Sequence, residues 1–87
     1  MLQNVARGKL TSIAQIRAAR GLLGWSQAEL AAAAGVSRAT VNRAESTGGS
    51  EAATEALVGA LAKAGVEFIA ENGGGPGVRL RKRQAKR

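Results

Sequence analysis

The sequence predicts a mainly α-helical fold with a short C-terminal β-hairpin and a basic tail, and two observations predict it. From about residue 11 to Gly65, apolar residues recur at helical spacing in four runs that serines and glycines separate. After Gly65 the period changes, and apolar residues alternate with polar ones as they do along a strand. With 87 residues, we expect one domain with a modest core.

The first two helices are marked by their ends. The first is predicted over residues 11–24, with Thr11 or Ser12 as the N-cap and Gly24 as the left-handed residue that ends it. Ser26 and Glu29 match the capping-box pattern, so the second helix is expected to begin at Ser26 and to stop at Gly35.

A third helix follows at once, with Ser37 as its N-cap. Gly35 permits the tight turn because glycine adopts backbone angles that a side chain opposes. Ala31 is small enough for the two helices to approach closely, and Leu30 and Val41 are expected to fill the wedge between them. Two short helices joined in this way predict a helix-turn-helix, whose second helix lies in the major groove of DNA.

The chain is accordingly divided into four segments. Residues 1–10 are expected to be a flexible N-terminus and residues 11–65 to be the four-helix domain. Residues 66–81 are expected to form a β-hairpin and possible dimerisation element, and residues 82–87 a disordered basic tail. A lone hairpin is marginally stable in water, so this one must pack on the helices or pair with another chain.

Hairpin side chains divide between two faces. Val66 and Phe68 are predicted to pack against the helices, whereas Ile69 points the other way and, if exposed, suggests a subunit contact. Helix 4 is the other candidate dimer surface.

Composition argues against catalysis and against cofactors. The chain has no cysteine, histidine or aspartate, and its six acidic residues are all glutamates. Most triad, acid–base and zinc chemistry therefore lacks its side chains. We expect no enzyme activity, no metal site and no cofactor.

Charge points instead to a polyanionic partner. The net charge is +7, and residues 76–87 carry six Lys/Arg and no acid, so the body is nearly neutral and the tail is a basic arm. No apolar run approaches the length of a membrane span. We expect no membrane partner and a cytoplasmic, nucleoid-associated protein.

The residues from Ile16 to Glu45 resemble the Cro and phage-repressor-like helix-turn-helix family, also called the XRE family, in its small stand-alone bacterial form. The likeness continues more loosely to the helix near residue 64, giving a lambda-repressor-like fold. Matching family positions include Arg20, Gln27, Ala31, Gly35 and Val41. The resemblance implies binding to double-stranded DNA.

Carried onto this sequence, the resemblance implies DNA contacts from the second and third helices: Gln27, Ser37, Arg38, Ala39, Thr40, Asn42 and Arg43. An arginine can bond to O6 and N7 of guanine, and an alanine can contact a thymine methyl group.

The remaining residues have structural or accessory roles. Arg20 is expected to pair with Glu45, as these positions commonly do in the family, and Trp25 to pack between helices 1 and 2. Possible further DNA contacts come from the basic end of the chain: Arg79, Arg81, Lys82 and Arg83.

These observations favour a sequence-specific transcriptional regulator, a repressor or an activator, that binds a palindromic operator as a homodimer. Two alternatives stay open at this point. An antitoxin-like module would bind a protein partner through the hairpin and tail, with DNA binding secondary. A nonspecific nucleoid or RNA-binding protein would depend on the tail alone.

Overall fold

The structure is a computed structural model that describes residues 13–81. The flexible N-terminus predicted over 1–10, the Thr11 or Ser12 cap and the tail over 82–87 lie outside the described residues. Within 13–81 the chain forms four helices and a two-stranded antiparallel hairpin: α1 (Ile13–Leu23), α2 (Gln27–Ala34), α3 (Arg38–Ser46), α4 (Glu51–Lys63), β1 (Val66–Ile69) and β2 (Gly77–Leu80). The predicted fold class is confirmed.

Serine caps start α2, α3 and α4. The side chains of Ser26, Ser37 and Ser50 each accept a hydrogen bond from the backbone N–H three residues later. The Glu29 carboxylate in turn accepts a hydrogen bond from the Ser26 N–H at 2.7 Å, so the predicted capping box is present. The Ser50 cap was not predicted, because the adjacent glycines indicated only a loop.

The turn between α2 and α3 depends on Gly35, which has a φ of 72° in the left-handed region. This conformation lets the Val36 N–H donate to the Ala31 carbonyl at 3.0 Å, which satisfies the end of α2. A Cβ added to Gly35 would meet no heavy atom within 4 Å. Backbone conformation, and not crowding, therefore requires glycine here.

The core lies where the four helices and β1 meet. Ala31 of α2 and Ala44 of α3 are both buried in this core, and α2 and α3 pack against each other. Trp25 lies in the connection between α1 and α2 and is half-buried against this core. The largest fully buried side chains among the described residues are Ile16, Leu30, Val41, Leu57, Leu61 and Val66.

The hairpin packs on α1 and α4. Its register places Val66 opposite Leu80 and Phe68 opposite Val78. Val66 and Phe68 are buried as predicted, while Ile69 on the other face is half-buried. The hairpin thus adds its own apolar side chains to the helical core.

A buried glutamine connects α1 to the far end of the hairpin. The Gln15 side-chain amide donates to the carbonyls of Gly77 at 2.9 Å and Ile69 at 3.3 Å. These two residues face each other across the strands, so one amide holds both strands to α1.

We expect Gly35→Ala to lower the free energy of unfolding by about 1–2 kcal/mol, because alanine opposes the left-handed conformation. Gly21→Ala is the matched control, since Gly21 is an exposed helical residue of α1 whose added Cβ also meets nothing within 4 Å. That change should raise stability by about 0.4–1 kcal/mol. Urea unfolding of both variants measures the contrast, and equal effects would contradict it.

Candidate nucleic-acid interface

One face of α3 is buried and the other is open to solvent. Val41, Ala44 and Glu45 face inward, towards α1, α2 and α4. The opposite face, which we call the α3 stripe, is exposed and consists of Arg38, Ala39, Asn42, Arg43 and Ser46. The structure therefore brings four of the sequence-predicted contact residues onto one surface.

The two arginines of the α3 stripe make no polar side-chain contact with the other described residues. Within the described part of the chain, neither Arg38 nor Arg43 forms an ion pair or a side-chain hydrogen bond. Arg38 also lines a surface cavity of about 280 Å³ together with Ala39 and Asn42. The guanidinium groups of Arg38 and Arg43 can therefore bind an anionic ligand without breaking a contact to another described residue.

Ser37 and Thr40 stabilise the start of α3. The Ser37 Oγ accepts from the Thr40 N–H at 3.0 Å, and the two hydroxyls share a hydrogen bond at 2.9 Å. Thr40 is half-buried, in contrast to the residues of the stripe. The pair orients the first turn of α3, from which Arg38 and Ala39 project.

A hydrogen-bonded network holds α3 to α1 and α2. Arg20 on α1 donates from Nε to Glu45 Oε2 at 2.8 Å and from Nη2 to Glu45 Oε1 at 3.0 Å. Its third donor, Nη1, bonds to the carbonyl oxygen of Trp25 at 2.9 Å. Gln27 adds a bond from Nε2 to Glu45 Oε1 at 3.1 Å. The expected pairing of Arg20 with Glu45 is present, and the network ends beside the N-terminus of α2.

Glu45 stays ionised in this position. Burial opposes the charged form, but hydrogen bonds from Arg20 and Gln27 and the positive charges of Arg20 and Arg17 outweigh it, so the pKa of Glu45 lies below its usual value. The same hydrogen bond raises the pKa of Arg20. Both partners therefore remain charged across the neutral pH range.

Two features of the interface were not predicted from the sequence. Gln27 is the first residue of α2, as expected for a phosphate contact, but its bond to Glu45 was missed. The amide nitrogen of Gln27 has a second N–H besides the one that this bond uses. Ser46 was also missed, although its spacing of four residues from Asn42 places it on the same helical face and could have revealed it.

The hairpin arginines are engaged locally. Arg79 forms an ion pair with Glu67 at 3.1 Å, and the Arg81 guanidinium donates to the Ala62 carbonyl at 3.4 Å. The hairpin that carries them packs on α1 and α4, so the structure does not group them with the α3 stripe. Lys82 and Arg83 lie outside the described residues.

The helix-turn-helix family profile matches residues 16–64, more than half of the chain, from α1 to the end of α4. The chain belongs to the Cro and phage-repressor type of helix-turn-helix proteins, the XRE family. This is a family of DNA-binding transcription regulators and not of enzymes. A search of curated proteins found no match.

Two further features were sought among the described residues, a cluster of metal ligands and a membrane-spanning helix. No group of three or more potential metal ligands occurs among them. None of the helices formed there is long and apolar enough to cross a membrane.

We expect Glu45→Gln to lower the free energy of unfolding at pH 7 by about 1–3 kcal/mol, because the charged hydrogen bonds to Arg20 are weakened. The folded state lowers the pKa of Glu45, so this contribution is present above the unfolded value of about 4.3. It is lost as the pH falls through the lower folded value. Urea unfolding between pH 7 and pH 2 should show the two proteins converging in acid.

Glu67→Gln is the control for that experiment. Its ion pair with Arg79 is exposed, so the variant should unfold with nearly wild-type stability at pH 7. A Glu45→Gln protein as stable as Glu67→Gln would show that the buried network contributes nothing.

Proposed function

We propose that this protein is a sequence-specific regulator of transcription that binds a palindromic operator as a homodimer. The α3 stripe supports the proposal most directly, since it is the exposed face of the second helix of a helix-turn-helix. It carries two arginines that have no ion pair or side-chain hydrogen bond within residues 13–81. An α-helix of this kind fits the major groove of B-DNA.

Base recognition is assigned to three residues of the stripe. Arg38 and Arg43 each present a planar guanidinium that can donate two hydrogen bonds to O6 and N7 of guanine. Ala39, one residue into the first turn, is small enough to contact a thymine methyl group. Such contacts specify sequence, whereas contacts to phosphate only position the protein.

Positioning is assigned to the polar residues around the helix ends. Gln27 lies at the N-terminus of α2, where backbone amides favour an anion. Ser37, Thr40 and Asn42 border the first turn of α3 and can donate to phosphate or base oxygens. The bond from Gln27 to Glu45 holds that side chain in place before DNA arrives.

A homodimer is proposed because one helix-turn-helix domain contacts only a few base pairs. Two copies would place their recognition helices about 34 Å apart, one turn of B-DNA, and so read an inverted repeat. Whether binding represses or activates depends on where the operator lies relative to the promoter. We place the protein with the genome, at the nucleoid in the cytoplasm.

The alternative is an antitoxin-like module that binds an acidic protein through its hairpin and tail. The described arginines of the hairpin already have partners, Glu67 for Arg79 and the Ala62 carbonyl for Arg81. The unpaired guanidiniums of the α3 stripe favour DNA instead. Stoichiometric co-purification of a protein that blocks DNA binding would support the alternative.

We expect Arg43→Ala to weaken binding to a specific site by about 1–3 kcal/mol and to relax the preference at one base pair. The site is first selected from a random duplex pool near physiological salt, and each variant is then titrated against single-base changes. Lys63→Ala is the control, because Lys63 is an exposed cation at the end of α4 and its removal changes the net charge equally.

The control variant should bind nearly as the wild type does, with unchanged base preferences. Equal weakening by Arg43→Ala on every sequence would assign Arg43 to phosphate. A pool without enrichment would contradict sequence-specific recognition.

The basic tail is proposed to follow the phosphate backbone. Removing residues 82–87 deletes four Lys/Arg, so the slope of log K against log salt should flatten by at most about 4. The comparison is between the shortened and the full chain on the same selected duplex. An unchanged slope would exclude the tail from the complex.

A further inference from the structure

One edge of the hairpin has backbone groups without partners. The Arg81 N–H donates to the Gly65 carbonyl at 2.7 Å, which identifies this opposed pair as a hydrogen-bonded one. Bonded and non-bonded pairs alternate along an antiparallel ladder. Val78 and Leu80 therefore belong to non-bonded pairs, and their N–H and C=O groups point away from β1. Within residues 13–81 these groups have no hydrogen-bond partner.

The residues of β2 are more exposed to solvent than those of β1, although both strands pack on α1. Leu80 is 51% exposed, although Val66 directly opposite it is 0% exposed. Phe68 on β1 is 7% exposed, and its partner Val78 is half-buried. An open strand edge that carries an exposed leucine is a template for pairing with another strand.

We propose that β2 pairs antiparallel with β2 of a second copy of this chain, centred on Arg79, to form a four-stranded sheet across the dimer. This inference rests on the proposed homodimer and assigns its interface. In this register Val78 lies opposite the partner's Leu80, so each copy donates two backbone hydrogen bonds and receives two. The exposed leucines are then covered by valine on the face that packs on the helices.

Charge permits this register. It places Arg79 beside the partner's Arg79, but each arginine is already ion-paired with its own Glu67 at 3.1 Å. The centre of the sheet therefore contains two neutral pairs. Arg81 lies opposite the partner's Gly77, which has no side chain to obstruct it.

The neighbouring two-fold registers are less favourable. Centring the pair on Leu80 would set Arg79 against the partner's Arg81, which has no carboxylate partner among the described residues. Centring it on Val78 would set Leu80 against the partner's Pro76, which has no N–H to donate. The register centred on Arg79 keeps both the hydrogen bonds and the charge balance.

Sedimentation of the full chain without DNA tests the interface. Leu80→Pro removes an outward N–H and leaves the bonds to β1 intact, a change that an edge strand tolerates. Two hydrogen bonds are lost per dimer, so the dimer dissociation constant should rise roughly tenfold to hundredfold. Circular dichroism should show a wild-type helix content and a wild-type thermal transition.

A matched pair of lysine variants removes the dependence on proline. Leu80→Lys should weaken the dimer, whereas Leu22→Lys, at a leucine of α1 that is 43% exposed, should not. Both variants add the same charge. A wild-type dimer affinity in Leu80→Lys, or equal weakening in the two variants, would overturn the proposed interface.

Amide hydrogen exchange in the unmodified chain detects the proposed hydrogen bonds between the two β2 strands. The Val78 and Leu80 amides should exchange slowly where the dimer forms and rapidly after dilution, while the Arg79 amide changes little. Rapid exchange in the dimer, or a monomer at all concentrations, would overturn the proposal. So would protection that appears only on adding an acidic extended peptide, which would assign the edge to a different protein.

Failure here is distinguishable from failure of the proposed function. A dimer that ignores Leu80→Lys, with an inverted repeat still selected from the random pool, would remove this interface and leave sequence-specific recognition by a homodimer. If no sequence is enriched from the random pool, sequence-specific DNA recognition is rejected, whatever the sedimentation result.

Discussion

The buried carboxylate of Glu45 is the interaction on which the orientation of the α3 stripe depends. Its side chain is 4% exposed and accepts hydrogen bonds from Arg20 and Gln27, so α3 is bound to α1 and to the first residue of α2. A charge in this position is tolerated only because each oxygen has a donor. The same bonds that stabilise the fold therefore set the angle of the α3 stripe.

Small residues allow α2 and α3 to pack closely beside this network. Ala31 of α2 and Ala44 of α3 are buried, and the left-handed Gly35 lets the chain reverse in a short turn. Larger side chains would separate the helices and rotate the stripe relative to the N-terminus of α2. Rigid packing on one face of α3 thus leaves the other face free for an external ligand.

The hairpin has a different relation to the domain. It covers α1 and α4, is held by the buried Gln15 amide and contributes Val66 and Phe68 to the core. The proposed recognition and assembly surfaces are consequently on separate elements. Among the described residues, α3 carries the arginines without a polar partner and β2 carries the strand edge without one. Pairing through β2, as proposed, would leave the α3 stripe uncovered.

Family resemblance supplied four residues of the α3 stripe and missed Ser46. The sequence alone predicted the periodicity of the helices, the Ser26 and Ser37 caps, the glycine turn and the strand spacing after Gly65. These are local properties, since caps, turns and periodicity depend on neighbours within a few residues. The expected ion pair of Arg20 with Glu45 came from family resemblance and not from spacing.

The pairing of distant polar groups became visible only in the folded structure. The bonds from Gln27 to Glu45 and from Gln15 to the hairpin carbonyls join residues 18 and more than 50 positions apart. The structure also shows that β1 is more buried than β2. Alternation could not predict this difference, because apolar and polar residues alternate in both strands. Such contacts depend on how whole elements pack, and no local pattern encodes that geometry.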